Sequence, residues 1–219
     1  MTEHRPHTAP HDYLPAAGRD AFLPGYDLLT RLMGMGPVYD ALIEQAELTD
    51  GARVLEIGSG TGNVTVRAKR MHPGAELVGL DPDPRALARA QRKARGLTGI
   101  RFERGYSQEL PFADAEFDRA LSSMMLHHLD EQTKKTTAAE ILRVLRPGGS
   151  LHILDIGGHM TAADGFMARR MLHGDHVAGN LGDAIPRLLT EAGFDCTETA
   201  SRRHRFVGRL TFYRATRPA

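Results

Sequence analysis

The chain has 219 residues, 41% of them hydrophobic and 25% charged, which suits one soluble globular domain, with or without a small cap. Cys196 is the single cysteine, so an internal disulfide and a multi-cysteine zinc site are excluded, and no run approaches the roughly 20 apolar residues of a membrane span. The net charge of +1 is unevenly spread: residues 1–50 hold three Arg and eight Asp or Glu, residues 201–219 six Arg and no acid.

In chain order, Met1 to Asp12 reads as a loose polar tail with three histidines, unlike a secretory signal, and a cytoplasmic location is expected. Leu28, Leu29, Leu32 and Met33 recur at helical spacing, as do Val38, Leu42, Ile43 and Ala46. After Gly51, short strands alternate with helices. Strands are predicted at Arg53–Ile57, at Glu76–Leu80 ending on Asp81, and at Ile100–Arg104, Phe117–Ser122 and Ser150–Ile156. Helices are predicted at Asn63–Met71, Pro84–Arg95 and Glu131–Leu145. Past Gly157 the rhythm loosens: a Met-rich helix is expected over Ala162–His173 and a better one over Asp183–Ala192. The β-like runs Phe194–Ala200 and Phe206–Ala215 leave no room for a crossover helix and should pair antiparallel. Alternating strands and helices imply a parallel sheet covered on both faces.

The sharpest local signal is Val54-Leu55-Glu56-Ile57-Gly58-Ser59-Gly60-Thr61-Gly62-Asn63. Glycines turning a strand tightly into a helix let a ligand lie against the main chain. A phosphate-binding P-loop would need Lys then Ser or Thr, where Asn63-Val64 stands, and a dinucleotide loop would need glycine where Asn63 stands. Asp81 ends the second strand, 21 residues after Gly60, where a carboxylate can accept both hydroxyl hydrogens of a ribose. It could equally cap the helix that follows Asp81-Pro82-Asp83-Pro84. Loop and carboxylate together point to a nucleoside with a free ribose.

With these residues the chain resembles the class I S-adenosylmethionine-dependent methyltransferases, in the branch holding small-molecule, quinone-type and phospholipid-type enzymes. The matching stretches are Val54–Asn63, Gly79-Leu80-Asp81, Gly105–Phe112 with its Leu110-Pro111-Phe112, Phe117-Asp118 and Leu145-Arg146-Pro147-Gly148-Gly149. They stand in the family's order across about Gly51 to Ile156. The resemblance implies a Rossmann-like α/β fold: a doubly wound, seven-stranded, mostly parallel sheet with a C-terminal antiparallel strand. An N-terminal helical lid over residues 1–50 would cover the methyltransferase domain over 51–219, with an acceptor-side insertion at about 157–182. It also implies S-adenosyl-L-methionine as cofactor. Glu56 and the backbone of Gly58 and Gly60 would hold its amino-acid end, with Ser59, Gly62 and Asn63 also among the cofactor-binding residues; Asp81 would bind the ribose, with Pro82 against the adenine. Tyr106 and Ser107 stand where relatives often have Asp-Ala, so adenine contacts there would differ; Ser122 would approach the methionine portion. One of the tyrosines Tyr13 and Tyr26 is expected to reach the cofactor or acceptor from the lid, and Phe22 is a candidate acceptor contact.

Methyl transfer is an in-line displacement in which positioning supplies much of the acceleration, and a base is needed only for an acceptor that begins protonated. Candidate bases are His127, His128 and Asp155, near the ends of strands four and five. The histidines equally suit helix-start packing, and adjacent helical residues point about 100° apart, so one of the two should face the ligand. Met125, His159 and Met160 are candidate acceptor contacts, though methionines also serve as core filler. The sequence holds no convincing metal set.

The expected function is methyl transfer to a small-molecule or lipid-like acceptor, without nucleic acid or a membrane span; a homodimer is compatible with it. The alternatives are an NAD-dependent oxidoreductase and a cofactor-binding protein without transfer activity. The Arg-rich end coincides with a predicted strand and is read as exposed strand ends and faces rather than a nucleic-acid arm.

Overall fold

The computed structural model describes residues 23–173, 177 and 179–219, with side chains from residue 27 onward. Two helices lead in, α1 (Leu23–Leu32) and α2 (Gly36–Gln45). There follow β1 (Arg53–Ile57), α3 (Asn63–Met71), β2 (Glu76–Asp81), α4 (Pro84–Lys93), β3 (Ile100–Arg104), β4 (Phe117–Ser123), α5 (Glu131–Val144) and β5 (Leu145–Ile156). The chain ends with α6 (Phe166–Met171), α7 (Ala184–Glu191), β6 (Asp195–His204) and β7 (Gly208–Thr216). Among the described residues no helix is long and apolar enough to cross a membrane.

The strands form one seven-stranded sheet in the order β3-β2-β1-β4-β5-β7-β6, and β7 runs antiparallel to both of its neighbours. The sheet is thus the expected Rossmann-like, mostly parallel one. Successive residues of a strand feed opposite faces. Val54, Leu77, Leu121 and Leu154 pack with Leu42, Ile43, Val64 and Ala168, from α2, α3 and α6. Leu55, Val78, Ala120 and Ile153 pack on the other face with Ile141, Ile185 and Leu189, from α5 and α7. This two-sided cover is why the strands read as near-continuous apolar runs.

Helix starts follow local chemistry. Asp83 caps α4, accepting the Arg85 amide at 2.8 Å with Pro84 in the first turn, and Asp130 caps α5 through the Thr133 amide at 2.8 Å. The expected helix over Ala162–His173 is broken in two. Gly165, at φ +125°, separates a short 3-10 turn at Ala162–Asp164 from α6. Strand β5 begins earlier than expected because Leu145 already pairs with Phe117 of β4; the chain then bulges over Arg146-Pro147-Gly148-Gly149, with Gly148 at φ +74° and Arg146 held to Asp118 at 2.5 Å, before Ser150 pairs with Arg119. Cys196 lies in β6, and burial pushes its thiol up to about 11, so it stays protonated at neutral pH.

The Arg-rich end is interior strand. Strand β7 lies between β5 and β6, with Leu210, Phe212, Tyr213 and Ala215 buried. A chain ending at Arg202 is therefore expected to lose the soluble, cooperatively melting state, because it exposes the ladder of β5 and strips both sheet faces. Soluble expression and thermal melting of that chain test the point.

Candidate functional site

A cavity of about 460 Å³ opens beyond the carboxyl ends of β1, β2 and β4. That is where open α/β sheets bind ligands. Its floor is the turn from β1 into α3. Gly58 and Gly62 both take left-handed angles, φ +72° and +76°. A Cβ on Gly58 would stand 2.4 Å from Met125 Cγ, and one on Gly62 would stand 2.8 Å from Ala90 Cβ. Glycine is thus required twice over, for conformation and for close approach.

Three buried carboxylates ring this floor. Burial pushes the Glu56 carboxyl up to about 8, against the hydrogen bond that Thr65 Oγ1 donates to it. Burial likewise raises Asp81 to about 6, although its oxygens accept the amides of Gly60 at 2.7 Å and Asp83 at 2.9 Å. Asp83, not Asp81, caps α4. Ser59 Oγ and Asp83 Oδ2, both of residues on the cavity wall, are buried without a hydrogen-bond partner among the described residues. Buried polar atoms of that kind normally have a partner. The wall therefore offers acceptors and a hydroxyl to a ligand carrying hydroxyls and a positive charge, and it fits S-adenosylmethionine on its own chemistry.

The loop is also tied to the N-terminal helices. Asp27 of α1 accepts Thr61 Oγ1 at 2.5 Å and Lys93 Nζ at 3.0 Å, and Lys93 also donates to Asn63 Oδ1 at 2.7 Å. Burial lowers the Lys93 pKa, and Asp27 opposes that shift. From α2, Tyr39 reaches the cavity wall. Neither Asp27, Lys93 nor Tyr39 stood out in the sequence. Tyr39 had a signal available, since it precedes Leu42 and Ile43 by helical spacing and so shares their buried face.

On the acceptor side, Met124, Met125, His128 and Leu129 line the cavity. Met124 holds a left-handed φ of +56°, unusual for a side-chain-bearing residue, at the point where β4 turns into the 3-10 turn Leu126–His128. The two histidines diverge. His128 faces the cavity, while His127 Nδ1 meets Asp155 Oδ1 at 2.6 Å. Asp155 is fully buried and also accepts the amides of Leu126 at 2.8 Å and Ile156 at 2.7 Å. Burial would raise its carboxyl, but His127 and the two amides outweigh that and hold it below the usual carboxylate range.

Of the other sequence candidates, Ser59, Gly60, Asn63, Pro82, Tyr106 and Ser107 line the cavity. Ser107 is hydrogen-bonded to Thr137 at 2.8 Å. Ser122 is buried behind the wall, and its neighbour Ser123 takes the lining position. His159 is exposed, 3.7 Å from Asp183, and Met160 is buried in the core against Gly208. Neither is among the lining residues. Tyr13 and Phe22 lie outside the described residues; Tyr26 falls in α1, and its side chain lies outside them too.

Residues 54–149 match the family model described as a methyltransferase domain. The chain is 35% identical over 201 residues to the demethylmenaquinone methyltransferase of Thermus thermophilus, covering 78% of this chain and 88% of that one. It is 32% identical to the protein of the same name from Deinococcus radiodurans, covering 74% and 67%. Among solved structures, Haemonchus contortus phosphoethanolamine N-methyltransferase 2 in complex with S-adenosyl-L-methionine superimposes with a TM-score of 0.73 at 17% identity, over 93% of this chain and 58% of that one, a likeness of fold. Glycine loop, strand-end carboxylates and sequence relatives agree: the chain belongs to the class I S-adenosylmethionine-dependent methyltransferases and uses S-adenosyl-L-methionine as its methyl donor.

Proposed function

We propose that the acceptor is a small, mostly apolar ring of the quinol type, methylated with His128 as general base. The observation that carries this reading is the cavity wall itself. Met124, Met125, Leu129 and Tyr39 give it an apolar, polarisable side, and no Lys or Arg lies among its described lining residues. Such a wall suits a flat hydrocarbon-rich acceptor. Its described residues offer no cation to a phosphate-bearing one, and Asp130, next to Leu129, would repel a phosphate. The quinone-type relatives favour the same class.

The cofactor, when bound, supplies a methyl group already activated on a sulfonium sulfur. The chain's own residues then have three tasks. Glu56 and Asp81 anchor the donor's polar ends at the glycine loop. Asp27, with Thr61 and Lys93, docks α1 onto that loop, so that α1 and α2, the described part of an N-terminal lid over residues 1–50, help exclude water from the domain over 51–219. His128 takes the proton the acceptor must lose, while the His127–Asp155 pair holds the turn that aims it. Among the described residues, none of 157–182, the acceptor-side insertion, lines the cavity.

A soluble, short-chain demethylmenaquinol analogue and phosphoethanolamine, each supplied with labelled cofactor, separate the two acceptor classes. Labelled product is expected from the quinol and none from the phosphobase. His128→Ala should lower kcat on the quinol by about 10²–10⁴-fold and leave cofactor affinity within a few-fold. Turnover of phosphoethanolamine alone would reverse the acceptor assignment, and unchanged kcat in His128→Ala would remove the base.

A further inference from the structure

Two phenylalanines stand in water at one corner of the molecule. Phe166, the first residue of α6, is 80% exposed, and Phe206, in the turn between β6 and β7, is 45% exposed. The two segments form one surface. A Cβ on Gly165 would lie 3.7 Å from Arg203 Nη2, and one on Gly208 would lie 3.3 Å from Ala168 Cβ. Arg169, Arg170, Arg203 and Arg205 are exposed around the phenylalanines. Over residues 161–173 and 201–209 the one acid is Asp164, which is buried and paired with Arg209 at 2.8 Å. Over these two described segments the exposed charge is therefore entirely positive. The corner also has a place in the fold. Leu210 of β7 pairs with Ile156 of β5, so the turn before it projects from the carboxyl end of the parallel strands, the end on which the cavity opens.

We propose that this corner docks on an anionic lipid bilayer, with Phe166 and Phe206 entering the interface and the surrounding arginines meeting lipid phosphates. Exposed aromatic rings flanked by guanidinium groups are the combination such a surface rewards: the rings leave water, and the planar cations pair with phosphate oxygens. A single-stranded nucleic acid would use the same arginines but would need free ring faces for stacking. The Arg205 guanidinium already lies over Phe206, 5.4 Å from the ring centroid. The docking supplies a route by which a lipid-soluble acceptor reaches the cavity. In that role it rests on the quinol reading, although the binding itself does not.

Vesicle sedimentation of the full chain tests the proposal, using phosphatidylcholine vesicles with and without phosphatidylglycerol. Binding is expected only to the anionic vesicles and should weaken as salt rises. Each arginine near such a surface is worth about fivefold, so Arg170→Glu with Arg205→Glu should weaken binding by at least about twentyfold. Phe166→Ser with Phe206→Ser should weaken it by about tenfold or more. Melting and calorimetric titration with S-adenosylmethionine should match wild type in both pairs, showing that fold and cofactor site persist. Failure to sediment with anionic vesicles, or undiminished sedimentation of both pairs, overturns the proposal. So does displacement from the vesicles by oligouridylate at comparable concentration, which would assign the corner to nucleic acid. Because no methyl transfer is read, loss of the quinol assignment and loss of the bilayer assignment are separate results.

Discussion

Glu56→Gln is expected to abolish most cofactor affinity while making the empty protein more stable. The carboxyl is buried, and its pKa stands at about 8, so at pH 7 in the empty site it is mostly protonated. Holding the ammonium of the donor's amino-acid end needs the ionised form. Affinity should therefore climb about tenfold per pH unit up to about 8. A free α-amino group loses its own charge near pH 7.7–8.0, so affinity should peak there and fall above it. Gln keeps the shape and can still accept the Thr65 hydrogen bond, but it removes the charge. Binding should drop by about a hundredfold and the acid limb should vanish. Stability moves the other way. A folded pKa raised from 4.5 to about 8 means that the Glu56 contribution is fully present below pH 4.5 and is lost as pH rises through 8. At pH 8 the neutral variant escapes a penalty of up to about 4 kcal/mol, and its melting temperature should exceed that of the wild type. Calorimetric titration from pH 6 to 9, with melting curves over the same range, checks both signs. Unchanged affinity with an unchanged pH profile would remove Glu56 from the site. Asp81→Asn, tested alongside, should also weaken binding, with its own acid limb lower, near pH 6.

Asp155→Ala should be a folding variant before it is a catalytic one. The carboxylate is fully buried and accepts two backbone amides as well as the His127 ring. Its removal strands the Leu126 amide and the His127 ring and releases the 3-10 turn that aims His128. The expected loss is about 3–5 kcal/mol, or a fall of roughly 10 °C in melting temperature for a chain of this size. A base facing the acceptor would behave differently: Asp155→Asn would stay near wild-type stability and lose kcat alone. A clamp predicts that Asp155→Asn loses stability by an intermediate amount, with kcat and melting temperature falling together. Denaturation curves for both variants, read beside kcat, separate the two roles.

The contrast between Asp81 and Asp155 shows where local pattern stops being informative. Both are acids at or near strand ends, beside residues that suit ligand contact. Asp81 lies after a glycine loop at a recognisable distance, and its place on the cavity wall agrees with that spacing. Asp155 has the same local signature, and only the 28-residue reach to His127 turns it into a buried clamp. The N-terminal helices show the same limit. Tyr39 reaches the cavity wall because α2 packs directly against α3, a contact between segments that its local sequence does not announce.

By itself the sequence determined the strands and helices from β1 through β5, the glycine loop and the strand-end carboxylate, hence the fold class and the donor. Those features are local. Apolar runs, helix-starting prolines, turn glycines and fixed spacings act within a few residues and leave a one-dimensional trace. Tertiary structure alone decided which histidine faces the cavity, that Asp155 is satisfied by backbone amides, and that Asp27 of α1 is bonded to Thr61 and Lys93 beside the glycine loop. It also decided that the Arg-rich end is an interior strand with an exposed basic corner at its start. Each of these depends on which distant surfaces exclude water from one another. Burial, and the electrostatics burial creates, belong to pairs of segments and not to either segment alone.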